Sequence, residues 1–173
     1  MPHVPRSRLG AGAAGDRVRV LVDLDPVAPG WPPVNTEALW AVEVARNSFR
    51  IDNTPFFVPN LAVGDIVNAT AVKSQLRMKE RLSWGGQRTI RVRPKADGLD
   101  GGLDAIFDLF TPLGVEGEGD VLHDIAALCV PNDAELEPIV SLLKQGSASG
   151  WWDYEEACVD PAWAEAIGPA ASD

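Results

Sequence analysis

The sequence predicts an α+β protein in which an N-terminal small β-barrel or curled antiparallel sheet is followed by a ferredoxin-like βαββαβ sandwich. Three observations lead to this prediction. Short segments of alternating apolar and polar residues fill the chain up to residue 93. Two helical patterns then separate further apolar segments. The 16 Gly and 14 Pro residues indicate many turns, which favours short strands over long helices.

The first half of the chain contains a series of closely spaced strand patterns. They are predicted at residues 17–24, 37–44, 49–51, 66–72, 76–82 and 88–93. Gly85-Gly86 predicts the hairpin turn before the last of them. The segment from Asn53 to Asn60 contains two prolines that cannot donate ladder hydrogen bonds, so we expect a packed loop there. Closely spaced short strands of this kind favour a small barrel or a curled sheet.

The second half alternates between helix and strand patterns. Asp100 is expected to cap a helix that Gly114 ends, and Asp133 to open a second helix that ends at Gly146. Buried strands are predicted at residues 121–130 and 150–159, and a short helix at 161–167. Counted from Arg88, the order is strand, helix, short strand, strand, helix, strand, which is that of a ferredoxin-like sandwich with its first strand between the third and fourth.

These patterns divide the chain into four parts. They are a flexible tail at 1–15, a β-rich barrel-like domain at 16–86, the sandwich at 87–159, and a C-terminal helix and tail at 160–173. Cys129 and Cys158 would lie on non-adjacent strands, so we expect buried free thiols and no disulfide. So few cysteines, and no apolar run long enough to span a membrane, predict a cytoplasmic protein.

The net charge of −10 is unevenly distributed. Residues 1–94 carry 13 basic and 8 acidic side chains, whereas residues 95–173 carry 2 basic and 17 acidic ones. This division predicts two faces with different partners, or two halves that attract each other within one chain or across a homodimer. The leading hypothesis is a non-enzymatic interaction protein whose acidic half binds a basic protein. The acids expected to bind the partner are Asp153, Glu155, Glu156 and Asp160.

A cluster of basic residues occupies the strands between positions 73 and 93. Its members are Lys73, Arg77, Lys79, Arg81, Arg88, Arg91 and Arg93, with Trp84 at the turn. A basic surface that carries an aromatic residue can bind single-stranded nucleic acid. The overall negative charge opposes contact with phosphates, and we favour the alternative that these arginines meet the acidic half.

No cofactor or metal site is predicted, because the spacings typical of zinc and calcium ligands are missing. His123 is expected on a strand at the sheet surface, with no nucleophile near it in the sequence.

Several ordered blocks resemble an uncharacterised family of bacterial domains. The blocks are Glu37-Ala-Leu-Trp40-Ala, Asp52-Asn53-Thr-Pro55-Phe56-Phe57, Gly64-Asp65-Ile-Val67, Thr89-Ile-Arg91-Val and Trp152-Asp-Tyr154-Glu155-Glu156. The similarity extends over residues 17–158. Members of such families sometimes occur beside toxin genes, so the resemblance implies an immunity-type role.

The block residues also supply candidates for a second hypothesis, an enzyme or small-molecule-binding protein of a biosynthetic pathway with its site between the two halves. The catalytic candidates are Glu37, Asp65, Arg91 and His123. The ligand-binding candidates are Trp40, Asn53, Phe56, Phe57 and Arg91. A pocket at the junction that holds several of these side chains would favour this hypothesis.

Overall fold

The computed structural model describes residues 15–168, which form two sheets and three α-helices. Most of the predicted tail at 1–15, and residues 169–173, lie outside the described residues. The first sheet has five strands. They are β1 (Arg17–Asp23), β2 (Thr36–Ala45), β3 (Ser48–Ile51), β4 (Ile66–Val72) and β5 (Gln75–Ser83).

The first sheet is strongly curled. Each strand pairs in antiparallel fashion with the next along the chain. The sheet closes on itself where β1 meets β5 in parallel, through the pairs Val20–Leu76 and Leu21–Arg77. The curled sheet predicted for this half is confirmed. The parallel contact was not foreseen, because no local pattern reports the pairing of strands far apart in the sequence.

The second sheet has four antiparallel strands and carries the helices. Its elements are β6 (Arg88–Pro94), α1 (Gly102–Phe110), β7 (Glu116–Asp120), β8 (Ile125–Val130), α2 (Leu136–Ala148), β9 (Trp152–Cys158) and α3 (Pro161–Ile167). The strand order is β7-β8-β6-β9. β6 therefore lies between β8 and β9, as the order of elements in the sequence predicts.

The two cysteines flank the central strand. Cys129 on β8 and Cys158 on β9 both lie opposite Thr89 of β6, one on each side. Both are buried free thiols, and the prediction that they lie on non-adjacent strands is confirmed.

The region before β8 differs from the prediction. Residues 121–130 were expected to form one buried strand, but β8 begins only at Ile125, and His123 lies in the turn that joins it to β7. β7 lacks an apolar pattern because it is an edge strand whose glycines allow a close approach. A Cβ atom on Gly117 would lie 2.3 Å from the carbonyl oxygen of Ala127.

The helix boundaries also differ in detail. Gly101, and not Asp100, is the N-cap of α1, and its left-handed conformation suits a glycine. α2 continues past Gly146 to Ala148. Gly146 is needed for packing, because a Cβ atom there would lie 2.0 Å from the ring of Trp152.

The two faces of β6 are both buried but differ in chemistry. Ile90 and Val92 join the apolar core beneath the helices, together with Phe110, Leu143 and Trp152. We call this the helix-covered face. The opposite face carries Thr89 and Arg91, and we call it the polar face. The curled sheet has its own core, which includes Val20, Leu39, Phe49, Ile51 and Leu61.

Candidate functional site

The junction of the two halves is built around residues 53–63, which we call the junction segment. Glu37 projects from β2 and is buried. Its carboxylate accepts hydrogen bonds from the backbone N–H groups of Phe56, Phe57 and Val58 at 2.7, 2.9 and 3.0 Å. Glu37 therefore holds the segment in place, and backbone donors already surround its carboxylate.

The second half holds the same segment from the other side. Thr89 donates its hydroxyl hydrogen to the carbonyl oxygen of Leu61 at 2.9 Å. Arg91 donates through Nη2 to the carbonyl oxygen of Val58. The peptide groups of the junction segment thus bond to Glu37 through their N–H groups and to the polar face of β6 through their carbonyls.

Asp65 closes the junction segment at its end. The carboxylate is fully buried and accepts hydrogen bonds from the N–H groups of Gly85, at 2.7 Å, and Ala62, at 3.0 Å. Burial raises the pKa of Asp65, although these N–H groups and Arg81 counteract it. Gly85 is required here, since a Cβ atom on it would lie 2.3 Å from the backbone of Gly64.

Asn53 and Trp40 meet on the β2 side of the junction. The side-chain oxygen of Asn53 accepts a hydrogen bond from the backbone N–H of Trp40 at 2.7 Å. The Trp40 ring lies on the outer surface of the curled sheet beneath two guanidinium groups, those of Arg17 at 5.0 Å and Arg19 at 4.6 Å. Trp40 therefore does not face the junction with the other ligand-binding candidates.

Phe56 and Phe57 lie in the junction segment, and Phe57 is the centre of an aromatic chain. The Phe57 ring packs edge-on against Trp31 at 5.7 Å and against His123 at 5.4 Å. His123 Nδ1 lies 2.6 Å from Oδ2 of Asp120. His123 is thus positioned by an acid and an aromatic ring, although it lies on a turn and not on a strand.

Arg91 is a catalytic and ligand-binding candidate that borders an open cleft. A cleft of about 250 Å³ lies on the polar face between the first half and β9. Its walls are formed by Trp31, Arg91, Arg93, Ile125, Asp153, Tyr154 and Glu155. The sequence did not reveal Trp31, because it lies in a proline-rich loop that precedes the second half by more than fifty residues.

The guanidinium of Arg91 is only partly satisfied. Its side chain is 3% exposed, and Nη1 reaches Glu155 only at 3.3 and 3.4 Å. Nε is buried and has no hydrogen-bond partner among the described residues. Burial lowers the pKa of Arg91, while Glu155 and Glu37 counteract the shift.

A second cation and two acids border the same cleft. The Arg93 guanidinium lies over the ring of Trp31 at 4.7 Å. Asp153 is paired with Lys95 at 3.2 Å and is 73% exposed, whereas Glu155 is 52% exposed. The cleft therefore has one buried cation at its base, and its rim carries a second cation, an acid paired with Lys95 and the half-exposed Glu155.

The four acids predicted to bind a partner differ in their surroundings. Asp160 is 13% exposed and bonds to Arg88 at 2.6 Å. The hydrogen bonds from Arg88 are the main reason why the pKa of Asp160 is lowered. Glu156 accepts a hydrogen bond from the indole N–H of Trp163 at 3.0 Å. Asp153, Glu155 and Glu156 are exposed, but Glu156 is engaged by Trp163, whereas Asp153 and Glu155 make only the ion pairs with Lys95 and Arg91.

The basic cluster of residues 73–93 is mostly engaged within the chain. Arg88 and Arg91 pair with Asp160 and Glu155 of the acidic half, as the favoured alternative predicts. Arg77 pairs with Asp23, and Arg81 with Asp65 and the carbonyl oxygen of Asn60. Lys73 and Lys79 remain exposed.

Two other ionisable groups at the junction have raised pKa values. Burial raises the pKa of Cys129 to about 12, so its thiol is protonated at neutral pH. Burial also raises the pKa of Glu118 on β7, which hydrogen-bonds to Asn53. The described residues contain no group of three or more side chains that could hold a metal ion.

These features define a class: a two-sheet α+β protein whose halves share one hydrogen-bonded segment and leave a small cleft beside a buried arginine. The family model described as a domain of unknown function, DUF4265, matches residues 37–154, and the chain belongs to that family. The match includes the junction segment and every residue of the cleft wall except Trp31 and Glu155.

A solved structure has the same fold. It is described as a novel crystal structure of a hypothetical protein from Neisseria gonorrhoeae, and it is 19% identical to this chain with a TM-score of 0.64. The alignment covers 86% of this chain and 97% of that one. No curated protein matches the sequence. Within residues 15–168, no helix has the length and apolar character needed to cross a membrane.

Proposed function

We propose that this protein is a non-enzymatic binding protein that holds a small molecule in the cleft between Trp31 and Arg91. The observation that carries the proposal is the cleft itself, because it joins residues of both halves beside a buried and incompletely bonded cation. Ligand sites commonly combine apolar walls with a few convergent polar groups, and here Trp31 and Ile125 supply the apolar part.

The size of the cleft restricts the ligand. Its volume of about 250 Å³ is below the range of roughly 300–1,000 Å³ that is usual for sites of drug-sized ligands. A nucleotide or a large cofactor is too big for this space. The proposal therefore concerns a compact molecule that contains one ring or a short chain.

The surroundings of the catalytic candidates support binding over catalysis. The carboxylates of Glu37 and Asp65 are occupied by backbone N–H groups that hold the junction segment. Neither residue borders the cleft. A general base must reach a proton of its substrate, and these two groups instead have structural partners.

A fragment screen on the full-length protein tests the proposal. Ligand-observed NMR with a library of small aromatic and aliphatic fragments should find binders. Trp31→Ala should weaken them about tenfold, because an aromatic wall is lost. Trp84→Ala, at an exposed tryptophan of the β5–β6 turn, is the matched control and should have no effect. Absence of any binder, or equal effects of the two substitutions, would contradict the proposal.

A second candidate function is protein binding through the acidic half, as in an immunity-type protein. It is favoured by the position of Asp153 and Glu155 on β9, which is an edge strand with both carboxylates largely exposed. These two acids, and not Asp160 or Glu156, would contact a basic partner. Charge complementarity of this kind mainly accelerates association and depends on salt.

A salt-graded pull-down tests this second candidate. A partner should be retained by the wild type, released as the salt concentration rises, and lost with Asp153→Asn/Glu155→Gln. The control variant Asp133→Asn/Glu135→Gln carries the same charge change on exposed residues before α2. A partner retained equally by both variants would show that β9 does not form the interface.

We further propose that the second half is a ferredoxin-like sandwich and that the protein acts in the cytoplasm. The strand order β7-β8-β6-β9, with β6 central, supports the first proposal. The two buried free thiols support a reducing compartment.

A further inference from the structure

We infer that the ligand of the cleft is a small monocarboxylate that replaces Glu155 as the partner of Arg91. This inference deepens the proposed function and depends on it. It names the chemical class of the ligand and the group that the ligand displaces. The argument starts from the hydrogen-bonding capacity of Arg91.

A guanidinium carries five N–H donors in a fixed plane. In Arg91, Nη2 is bonded to the junction segment, Nε has no partner, and Nη1 has only the two long contacts with Glu155. A cation that is 97% buried requires better compensation than this, because water cannot solvate it. A ligand that brings an anion to Arg91 would complete the site.

Glu155 binds Arg91 only weakly. It lies directly opposite Arg91 in the β6–β9 register, on an edge strand, and half of its side chain is exposed. Half of its side chain is already exposed and its contacts with Arg91 are long, so Glu155 can turn to solvent when an incoming carboxylate takes over the compensation of Arg91. An incoming carboxylate that packs against Trp31 and Ile125 gains apolar contacts that Glu155 does not make.

The charges at the rim limit the ligand to one negative charge. Asp153 is paired with Lys95, and the Arg93 guanidinium is stacked on Trp31. Glu155 remains nearby after its displacement. A phosphate or a dicarboxylate would place a second negative charge beside these two acids, and like charges at such distances repel. A monocarboxylate with a small apolar body fits the space and the charge.

Three probes of similar size test the inference on the full-length protein. Benzoate, benzamide and benzylamine carry a negative, a neutral and a positive head group on the same phenyl ring. Each is titrated while the methyl signals of Ile125 are followed by NMR. Benzoate should bind more tightly than benzamide, and benzylamine more weakly than both. Tighter binding of either other probe, or no shift with benzoate while other fragments bind the cleft, would overturn the inference and leave the proposed function standing. If no fragment of any class binds, the proposed function fails as well.

A charge-matched pair of variants separates displacement from general electrostatics. Glu155→Gln removes the competing carboxylate and should tighten benzoate binding about three- to fivefold, the size expected for a half-exposed ion pair. Asp108→Asn makes the same charge change on α1, which packs against the helix-covered face, and salt screening should keep its effect below about 1.5-fold. Equal effects of the two variants, or weaker binding with Glu155→Gln, would overturn the inference. Glu155 is the residue to change because Arg91 also holds the junction segment, so its removal risks unfolding.

Discussion

The two faces of β6 achieve burial in different ways. On the helix-covered face, Ile90 and Val92 pack into an apolar core with Phe110 and Trp152. On the polar face, Thr89 and Arg91 are equally buried but bond to carbonyl oxygens of the junction segment. An apolar face can be buried completely by packing, whereas a polar face can be buried only where hydrogen-bond partners are present. The cleft lies on the polar face, where Nε of Arg91 has no hydrogen-bond partner among the described residues.

Among the substitutions that test this comparison, Glu37→Gln is expected to lower the free energy of unfolding the most. The substitution keeps the shape but removes a charge that binds three backbone N–H groups, and it points an amide N–H₂ toward those donors. Hydrogen bonds to charged groups contribute about 1.5–3 kcal/mol each, so the free energy of unfolding should fall by about 3 kcal/mol. Urea denaturation measures this change. Glu43→Gln, on an exposed part of β2, should change it by less than about 0.5 kcal/mol.

If Glu37→Gln and Glu43→Gln change the free energy of unfolding by similar amounts, Glu37 does not hold the junction segment, and other contacts keep that segment on the polar face.

On the helix-covered face, Gly146→Ala tests close packing. The added methyl group would overlap the ring of Trp152, which is fully buried and fixed by its indole hydrogen bond to Leu143. Overpacking costs about 1–3 kcal/mol, and the better helix propensity of alanine offsets about 1 kcal/mol. We expect a loss of about 2 kcal/mol in thermal or urea unfolding. Ser147→Ala, at the next and exposed position, should be neutral or slightly stabilising. An unchanged stability in Gly146→Ala would show that this core is loosely packed.

The smallest effect is expected from Asp160→Asn, and it should depend on pH. Asp160 bonds to Arg88 at the start of β6, and these bonds lower the pKa of Asp160 below the usual 3.8. A carboxyl with a lowered pKa stabilises the fold above its ordinary pKa, and that contribution is lost as the pH falls through the lowered value. The variant should be about 1–2 kcal/mol less stable than the wild type at pH 7.

The difference between them should shrink below about pH 4. Denaturation at pH 7, 4 and 3 measures it. Glu165→Gln, in the helix α3 that follows Asp160, should follow the wild type at each pH. A difference that stays constant with pH would mean that Asp160 acts through packing and not through its charge.

Alternation in the sequence predicted the two faces of β6 correctly, because side-chain direction in a strand follows from period alone. The alternation did not predict that the polar face is buried, because that burial depends on the junction segment, about thirty residues earlier in the chain. The same limitation applies to the site. Arg91 was named from its block, but Trp31 and Ile125 join it only through tertiary packing. His123 was placed on a strand because its apolar neighbours Val121 and Leu122 resemble one, although both are exposed in the turn.

The junction segment also bears on how the protein folds. The carbonyl groups of Val58 and Leu61 belong to the first half of the chain, and their donors Arg91 and Thr89 belong to the second. A cut near residue 86 would leave buried donors and acceptors without partners on both fragments. We therefore expect the two halves to unfold in a single transition, and each fragment to need the other present in order to fold.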